Sequence, residues 1–286
     1  MNKNARKAIF AASIAVIAIA ACTARGAVLT DNFNAQFDYS GGAVQGIWSG
    51  SYNMAALAGG IVGASPTFPD NGLLVFDYDG NLGWEGGRST APFLYVNVPG
   101  NEYFTAEVTI VSQTSGTWSD AGLIARAKQG TPPGAAADNA DEHYTFFGSF
   151  RTDAGNANAG NTLHKRIEAG AQVQDVNLPI VVGDEPLPIR MRLERNGANY
   201  IGSVSLDNGA TWQVQSTVTA PLATPLANGL SPIEVGLSFS SFDPALLGAV
   251  RFDNFRLETR PAPEPGAVAL AAIGLASLAA YRKRRR

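Results

Sequence analysis

The chain of 286 residues carries a formal net charge of −3 at pH 7, is 45% hydrophobic and has a single cysteine. Nine of its 21 Lys and Arg lie at the two ends (Lys3, Arg6, Lys7, Arg25, Arg282, Lys283, Arg284, Arg285, Arg286) but only Glu264 of its 24 acids does, so residues 27–262 hold 12 bases against 23 acids, a formal −11. So acidic a body argues against a nucleic-acid partner, which needs clustered Lys and Arg, and one cysteine leaves the domain without a disulfide, so stability rests on core burial with metal as a possible supplement.

At the N-terminus a basic segment from Lys3 to Lys7 precedes the apolar run Ala8 to Ala21 and then small residues, the pattern of an export leader. Residues 1–26 are therefore predicted to be a helical signal peptide, cut after Ala24 or Gly26. Ile19-Ala20-Ala21-Cys22 also resembles a lipoprotein box, in which Cys22 would be lipidated and become the first residue. Ordinary cleavage ranks ahead, because a C-terminal anchor makes a second one redundant.

From Ala27 to Glu258 the punctuation is Gly, Asn, Asp and Pro, and short alternating runs take the place of any long helical period. Phe104 to Ser112, Ala121 to Ala127, His143 to Phe150, Ile189 to Asn196, Ile233 to Phe239 and Val250 to Glu258 read as strands. In the fourth, Ile189, Met191 and Leu193 fall on one face and Arg190, Arg192 and Glu194 on the other, which describes a sheet with one dry and one wet side. About a dozen such segments call for two packed antiparallel sheets, since one open sheet of that size would expose an apolar face. The low-complexity loops Lys128 to His143 and Arg151 to Thr162 read as decoration.

Several short patterns touch on chemistry. Trp48, Trp84, Trp118 and Tyr144 lie beside Gly, Ser or Asp rather than inside apolar runs, so they are the candidate rings for stacking on sugars, with Asn53, Glu85 and Asp120 as polar neighbours; a core role is the competing reading. Asp77, Asp79 and Asn81 alternate like the start of a calcium loop, but Leu82 and Arg88 stand where an EF-hand needs Gly and Glu. His143 and His164, the only histidines, have no metal-ligand spacing. "SLDNGATW", Ser205 to Trp212, matches the Asp-box of sialidases. One copy without an arginine cluster reads as a hairpin device: Asp207 bonds local backbone, Asn208-Gly209 supplies positive φ and Trp212 packs beneath the turn.

Taken together, "DNFNAQFDYSGGAVQGIWSGSYN" (Asp31 to Asn53), "AGLIARA", "IRMRLERNGANYIGSVSLDNGATWQ" (Ile189 to Gln213), "IEVGLSFSS" and "VRFDNFRLE" resemble the concanavalin A-like lectin/glucanase sandwich in its laminin G-like style. The resemblance implies an all-β fold, a two-sheet antiparallel jelly-roll over residues 27–258. Glucanases of that fold carry a Glu-x-Asp-x-(x)-Glu strand that sets two carboxylates on one sheet face. No Glu-x-Asp occurs here, so hydrolysis by that scheme is not expected, and Glu85 or Glu142 would be the unconventional alternatives. The resemblance also implies that Asp31-Asn32-Phe33 and Asp253-Asn254-Phe255, near the domain's two ends, lie side by side on one sheet. The apolar phase slips between Phe252 and Phe255, predicting a bulge at Asp253-Asn254. Asp31 and Asp253 are thus candidate ligands of a structural calcium, against the plainer reading of two turn-forming Asp-Asn pairs.

The chain closes with a Pro-rich linker, 259–265, an apolar helix, 266–281, and a basic tail, 282–286. Gly266 to Ala280 spans about 22 Å as a helix, short of a ~30 Å hydrocarbon core, and interfacial Tyr281 with snorkelling arginines makes up part of the difference. The positive-inside bias places the tail in the cytoplasm and the domain outside. Pro263, Glu264 and Pro265, the short apolar helix and the Arg-rich end resemble the PEP-CTERM sorting signal of Gram-negative envelope proteins. That resemblance implies recognition by an exosortase, transient single-pass anchoring in the inner membrane, and delivery to the cell envelope or beyond. The sequence therefore predicts an exported non-catalytic sandwich that binds or packs with surface polysaccharide, the alternatives being a glycan hydrolase with unconventional carboxylates and a purely structural surface protein.

Overall fold

A computed structural model describes residues 26–35, 37–39, 42–54, 59–62, 72–78, 83–85, 88–89, 91–113, 119–127, 142–151, 161–169, 171–179, 187–241 and 248–262. Cys22, Trp118, Pro263, Glu264 and Pro265 lie outside the described residues, as do the expected signal and membrane helices. Among the described residues no helix is long and apolar enough to cross a membrane. The chain divides into two units, one of Met1–Ala27 with Arg260–Arg286 and one of Val28–Thr259.

The second unit carries the strands. In chain order these are β1 (Val28–Asp31), β2 (Phe37–Asp38), β3 (Gly50–Tyr52), β4 (Gly59–Val62), β5 (Leu74–Tyr78), β6 (Trp84–Glu85), β7 (Arg88–Ser89), β8 (Phe93–Val98), β9 (Glu102–Gln113), β10 (Ser119–Ala127), β11 (Tyr144–Arg151), β12 (Asn161–Glu168), β13 (Ala171–Pro179), β14 (Ile189–Asn196), β15 (Asn199–Ser205), β16 (Gln213–Thr219), β17 (Ile233–Ser241) and β18 (Gly248–Pro261). They form a nine-stranded sheet in the order β16-β15-β14-β9-β18-β5-β4-β2, with β1 also pairing β18, and a seven-stranded sheet in the order β13-β12-β11-β10-β17-β8-β3. The described pairings within both sheets are antiparallel.

Alternation explains the layers. On β14, Ile189, Met191 and Leu193 are fully buried while Arg190, Arg192 and Glu194 are only partly so. These apolar groups join Ala106, Val108 and Ile110 of β9 and meet Leu123, Phe147, Leu237 and Phe239 of the second sheet in one core. Each large aliphatic side chain taken from water there stabilises the fold by about 1.5–3 kcal/mol. Gly202 on β15 lets the sheets approach, because the ring of Phe147 occupies the space a Cβ would need.

The second sheet departs from the one-dry, one-wet pattern. Every residue of β10 is buried, because its other face is covered too. There a second apolar cluster gathers Trp84, Ala91, Phe93, Tyr95, Ile124, Tyr144, Phe146 and Ile167.

Between the sheets sits His164 of β12, fully buried. Thr145 Oγ1 donates to the Lys165 carbonyl (3.0 Å), so it accepts from His164 Nε2 (3.0 Å), which leaves Nδ1 to accept from Ser216 Oγ at 2.5 Å. The bonded ring is neutral, and burial pushes its pKa down to about 3.

Candidate functional site

The face of the second sheet turned away from the core holds its charges. Antiparallel register sets Arg126 of β10 opposite Glu234 of β17, so their side chains share that face. Arg126 Nη1 donates to Glu234 Oε2 at 2.7 Å, while its Nε and Nη2 donate to the two oxygens of Glu142, at 2.7 and 2.8 Å. Tyr52 of β3 donates its hydroxyl to Glu234 Oε1 at 2.8 Å and lies 5.4 Å beneath the guanidinium. All four carboxylate oxygens are thus occupied by protein donors. Burial works against the Arg126 charge, but the bonds and fields of Glu142 and Glu234 outweigh it and hold its pKa above the ordinary arginine value. Burial, with Tyr95 and Glu234 beside it, likewise raises that of Tyr52.

Six residues along the same strand, or about 20 Å at 3.3–3.4 Å per residue, Asp120 occupies the same face. Its Oδ2 accepts from Lys165 Nζ at 2.8 Å and from Ser240 Oγ at 3.4 Å, and its buried Oδ1 has no partner among the described residues. Burial raises the pKa of this carboxyl, against the pull of Lys165. The separation between Asp120 and Glu234 is far beyond the ~5–9.5 Å that glycoside hydrolysis requires. Glu142, one of the unconventional acids, is committed to Arg126 through both oxygens; the side chain of Glu85 lies outside the described residues.

The expected stacking platforms are interior. Trp84 is fully buried, its Nε1 donating to Ser238 Oγ and its ring meeting Tyr144 and Phe93 edge to face at 5.1 and 5.8 Å. Tyr144 is fully buried beside it. Trp48, 5% exposed, donates from Nε1 to Asp31 Oδ2 (2.8 Å) and packs 4.7 Å from the ring of Phe255. The small and polar residues beside them in sequence reflect strand ends and tight turns, so none of the three offers an open ring face to a sugar.

The two DNF segments do meet. β18 pairs with β5 through Gly248–Phe252 and with β1 through Phe255–Glu258, Asp31 standing opposite Phe255. At the change of partner Asn254 takes a φ of 53°, the irregularity that returns Phe255 to the core. A pocket of about 330 Å³ opens at this junction, lined by Asn32, Asn34, Gly72, Leu73, Val111, Asp253 and Asn254. Asp31 does not line it. One of its oxygens accepts from the Phe33 N–H and the other from Trp48, so Asp31 holds Phe33 in its left-handed turn (φ 53°). The pocket's polar lining is Asp253, whose Oδ1 and Oδ2 accept from the Asn254 N–H (2.6 Å) and Nδ2 (2.7 Å), and three carboxamides, and Asn34 Oδ1 sits where a Cβ on Gly72 would come within 2.7 Å. Carboxylate and carboxamide oxygens suit a hard cation such as calcium, and a single carboxylate belongs to the weak, millimolar range of extracellular modules.

No residue pattern flagged the buried ion cluster beforehand, although the single Arg126 between two alanines of an apolar strand signalled a need for buried acids. The Asp-box hairpin forms as expected: Asp207 accepts from the Thr211 N–H at 2.8 Å and from Ser205 Oγ at 2.7 Å, with positive φ at Asn208 and Gly209.

No protein-family model matches the sequence, and comparison with curated proteins finds no match. Among solved structures the chain is similar to the GH43 BlXynB protein from Bacillus licheniformis, at 12% identity and a TM-score of 0.52 over 80% of this chain and 39% of that one. It is similar to basic winged bean lectin solved with Tn-antigen, at 8% identity and a TM-score of 0.50 over 84% of this chain and 100% of that one. A functionally unknown protein from Saccharomyces cerevisiae matches at 17% identity and a TM-score of 0.48, over 66% and 89% of the two chains. This chain thus spans well under two thirds of the GH43 protein. At such identities the likeness shows the fold alone: an all-β, two-sheet, lectin-like sandwich.

Proposed function

We propose that the protein is a non-catalytic, exported β-sandwich that binds or packs with polysaccharide at the cell surface. The observation that carries this reading is the state of the carboxylates on the second sheet's outer face. Glu142 and Glu234 spend every oxygen on Arg126 and Tyr52, and Asp120 is paired with Lys165 about 20 Å away, so among the described residues no free acid and base face a common space there. Export, anchoring by the 266–281 helix and exosortase sorting at Pro263, Glu264 and Pro265 belong to the same proposal and rest on the sequence. So does a structural calcium, with its donors revised to Asp253 and the oxygens of Asn32, Asn34 and Asn254; it would tie the end of β1 to β18.

The test is affinity electrophoresis of the full-length protein through gels containing soluble polysaccharides, alongside a reducing-end assay on the same polymers. Retardation without release of reducing ends is expected. Release that Glu142→Gln abolishes would overturn the non-catalytic reading. Absence of any retardation would leave the purely structural alternative, which the filled outer face of the second sheet favours.

A further inference from the structure

The outer face of the first sheet carries a second charged cluster, and it differs from the first in being open to solvent. Arg190 and Arg192 project from alternate positions of β14, opposite Thr109 and Glu107 of β9. Glu107 alone serves both: Oε2 accepts from Arg190 Nη2 at 2.9 Å, and Oε1 from Arg192 Nε and Nη2 at 2.9 and 2.6 Å. Two guanidiniums share this one carboxylate, with Glu194 the next residue along the same face of β14, in a domain whose formal charge is strongly negative. The Asp-box hairpin folds over them and brings Trp212, which unlike Trp48 and Trp84 is only partly buried. The Arg192 guanidinium lies 3.7 Å over that indole and Arg190 lies 6.0 Å from it. Asp207 makes no ion pair with either arginine, its carboxylate accepting from Ser205 and Thr211 instead.

We infer that Arg190, Arg192 and Trp212 bind an acidic polysaccharide, the arginines taking a carboxylate or sulfate group and the indole the adjoining sugar ring. This rests on the polysaccharide reading above and names the class. Arg192 is held flat between the indole and Glu107, its side chain is 23% exposed, and its Nη1 has no hydrogen-bond partner among the described residues. That nitrogen presents two N–H groups already oriented, so little rotamer entropy remains to be lost on binding. Arg190, 21% exposed, is likewise fixed, through Glu107 and the Asn208 carbonyl. A role limited to pinning the hairpin explains the stack on Trp212, but it leaves the unused Arg192 Nη1 without a purpose.

The experiment compares polygalacturonate with neutral dextran as gel additives for the full-length protein, at low and high salt. Polygalacturonate should retard the protein more strongly than dextran, and the difference should shrink as salt rises. Arg192→Gln should weaken polygalacturonate binding about tenfold, equivalent to ~1.4 kcal/mol. Glu107→Gln should strengthen it severalfold by removing the competing carboxylate, a gain that a merely structural arginine pair does not produce. Circular dichroism confirms folding of each variant, and Arg192→Lys, which keeps the charge and loses the planar fork, replaces Arg192→Gln if the latter unfolds. Wild-type affinity in Arg192→Gln, or weakening in a folded Glu107→Gln, overturns the inference. Retention by dextran but not polygalacturonate also overturns it while the polysaccharide reading stands; retention by neither sinks both.

Discussion

His164 makes a quantitative prediction, because its ring is locked neutral between the sheets. Folded, it resists protonation down to about pH 3; unfolded, it takes a proton below its ordinary value of 6.5. Through that window the unfolded chain binds more protons, so stability falls as pH is lowered from about 6.5 toward 3. The slope is about 1.4 kcal/mol per pH unit once the unfolded histidine is fully charged. Lowering the pH from about 7.5 to about 5 should therefore remove about 2 kcal/mol through this one residue. The perturbation is His164→Gln, which keeps polar atoms toward Thr145 and Ser216 but does not titrate. Urea denaturation followed by circular dichroism at both pH values gives the unfolding free energy of each protein. The variant begins less stable, and its deficit should shrink by about 2 kcal/mol at the lower pH. Groups common to both proteins, Asp120 among them, cancel in the difference. A deficit that stays constant between the two pH values refutes the assignment of His164 as a buried neutral ring.

Arg126→Leu strands two buried carboxylates and should cost about 3–5 kcal/mol in urea denaturation; a loss below about 1 kcal/mol would mean that water reaches the cluster. Gly202→Ala places a methyl against the Phe147 ring and should cost about 1–3 kcal/mol, read as a lower melting temperature; an unchanged one would show that the sheets can separate to admit it. Millimolar calcium should raise the melting temperature of the full-length protein, and Asp253→Asn should abolish the rise; an equal rise in that variant would move the ion away from the DNF junction.

The longer strands were legible because alternation is a local signal. Ile189 to Asn196 announces its buried face by itself, and the phase slip at Asp253-Asn254 announces the left-handed residue there. The Asp-box hairpin was legible for the same reason: its bonds run between residues four apart or fewer. The burial of Trp48, Trp84 and Tyr144 was not, because it depends on partners distant in the chain. Trp84 bonds Ser238, and Trp48 packs on Phe255. The ion cluster joins Tyr52, Arg126, Glu142 and Glu234, a set without any spacing rule that only the assembled sheet supplies.

That assembled sheet also decides where a ligand can be met. A two-sheet sandwich has two outer faces, and water or a polymer reaches a side chain only where the face is left open. Here the second sheet closes its own outer face with aromatic rings and ion pairs bonded to one another, so its polar groups hold structure rather than offer contacts. The first sheet does the reverse: its outer face keeps Arg190 and Arg192 partly exposed, with one carboxylate between them and an indole alongside. A buried cluster that already carries two carboxylates on one guanidinium repels a further anion, whereas partly exposed guanidiniums attract it. The proposed recognition of an acidic polymer therefore falls to the face that keeps its arginines partly exposed, and Glu107→Gln, which removes a competing carboxylate without replacing either arginine, is the substitution whose sign separates recognition from support.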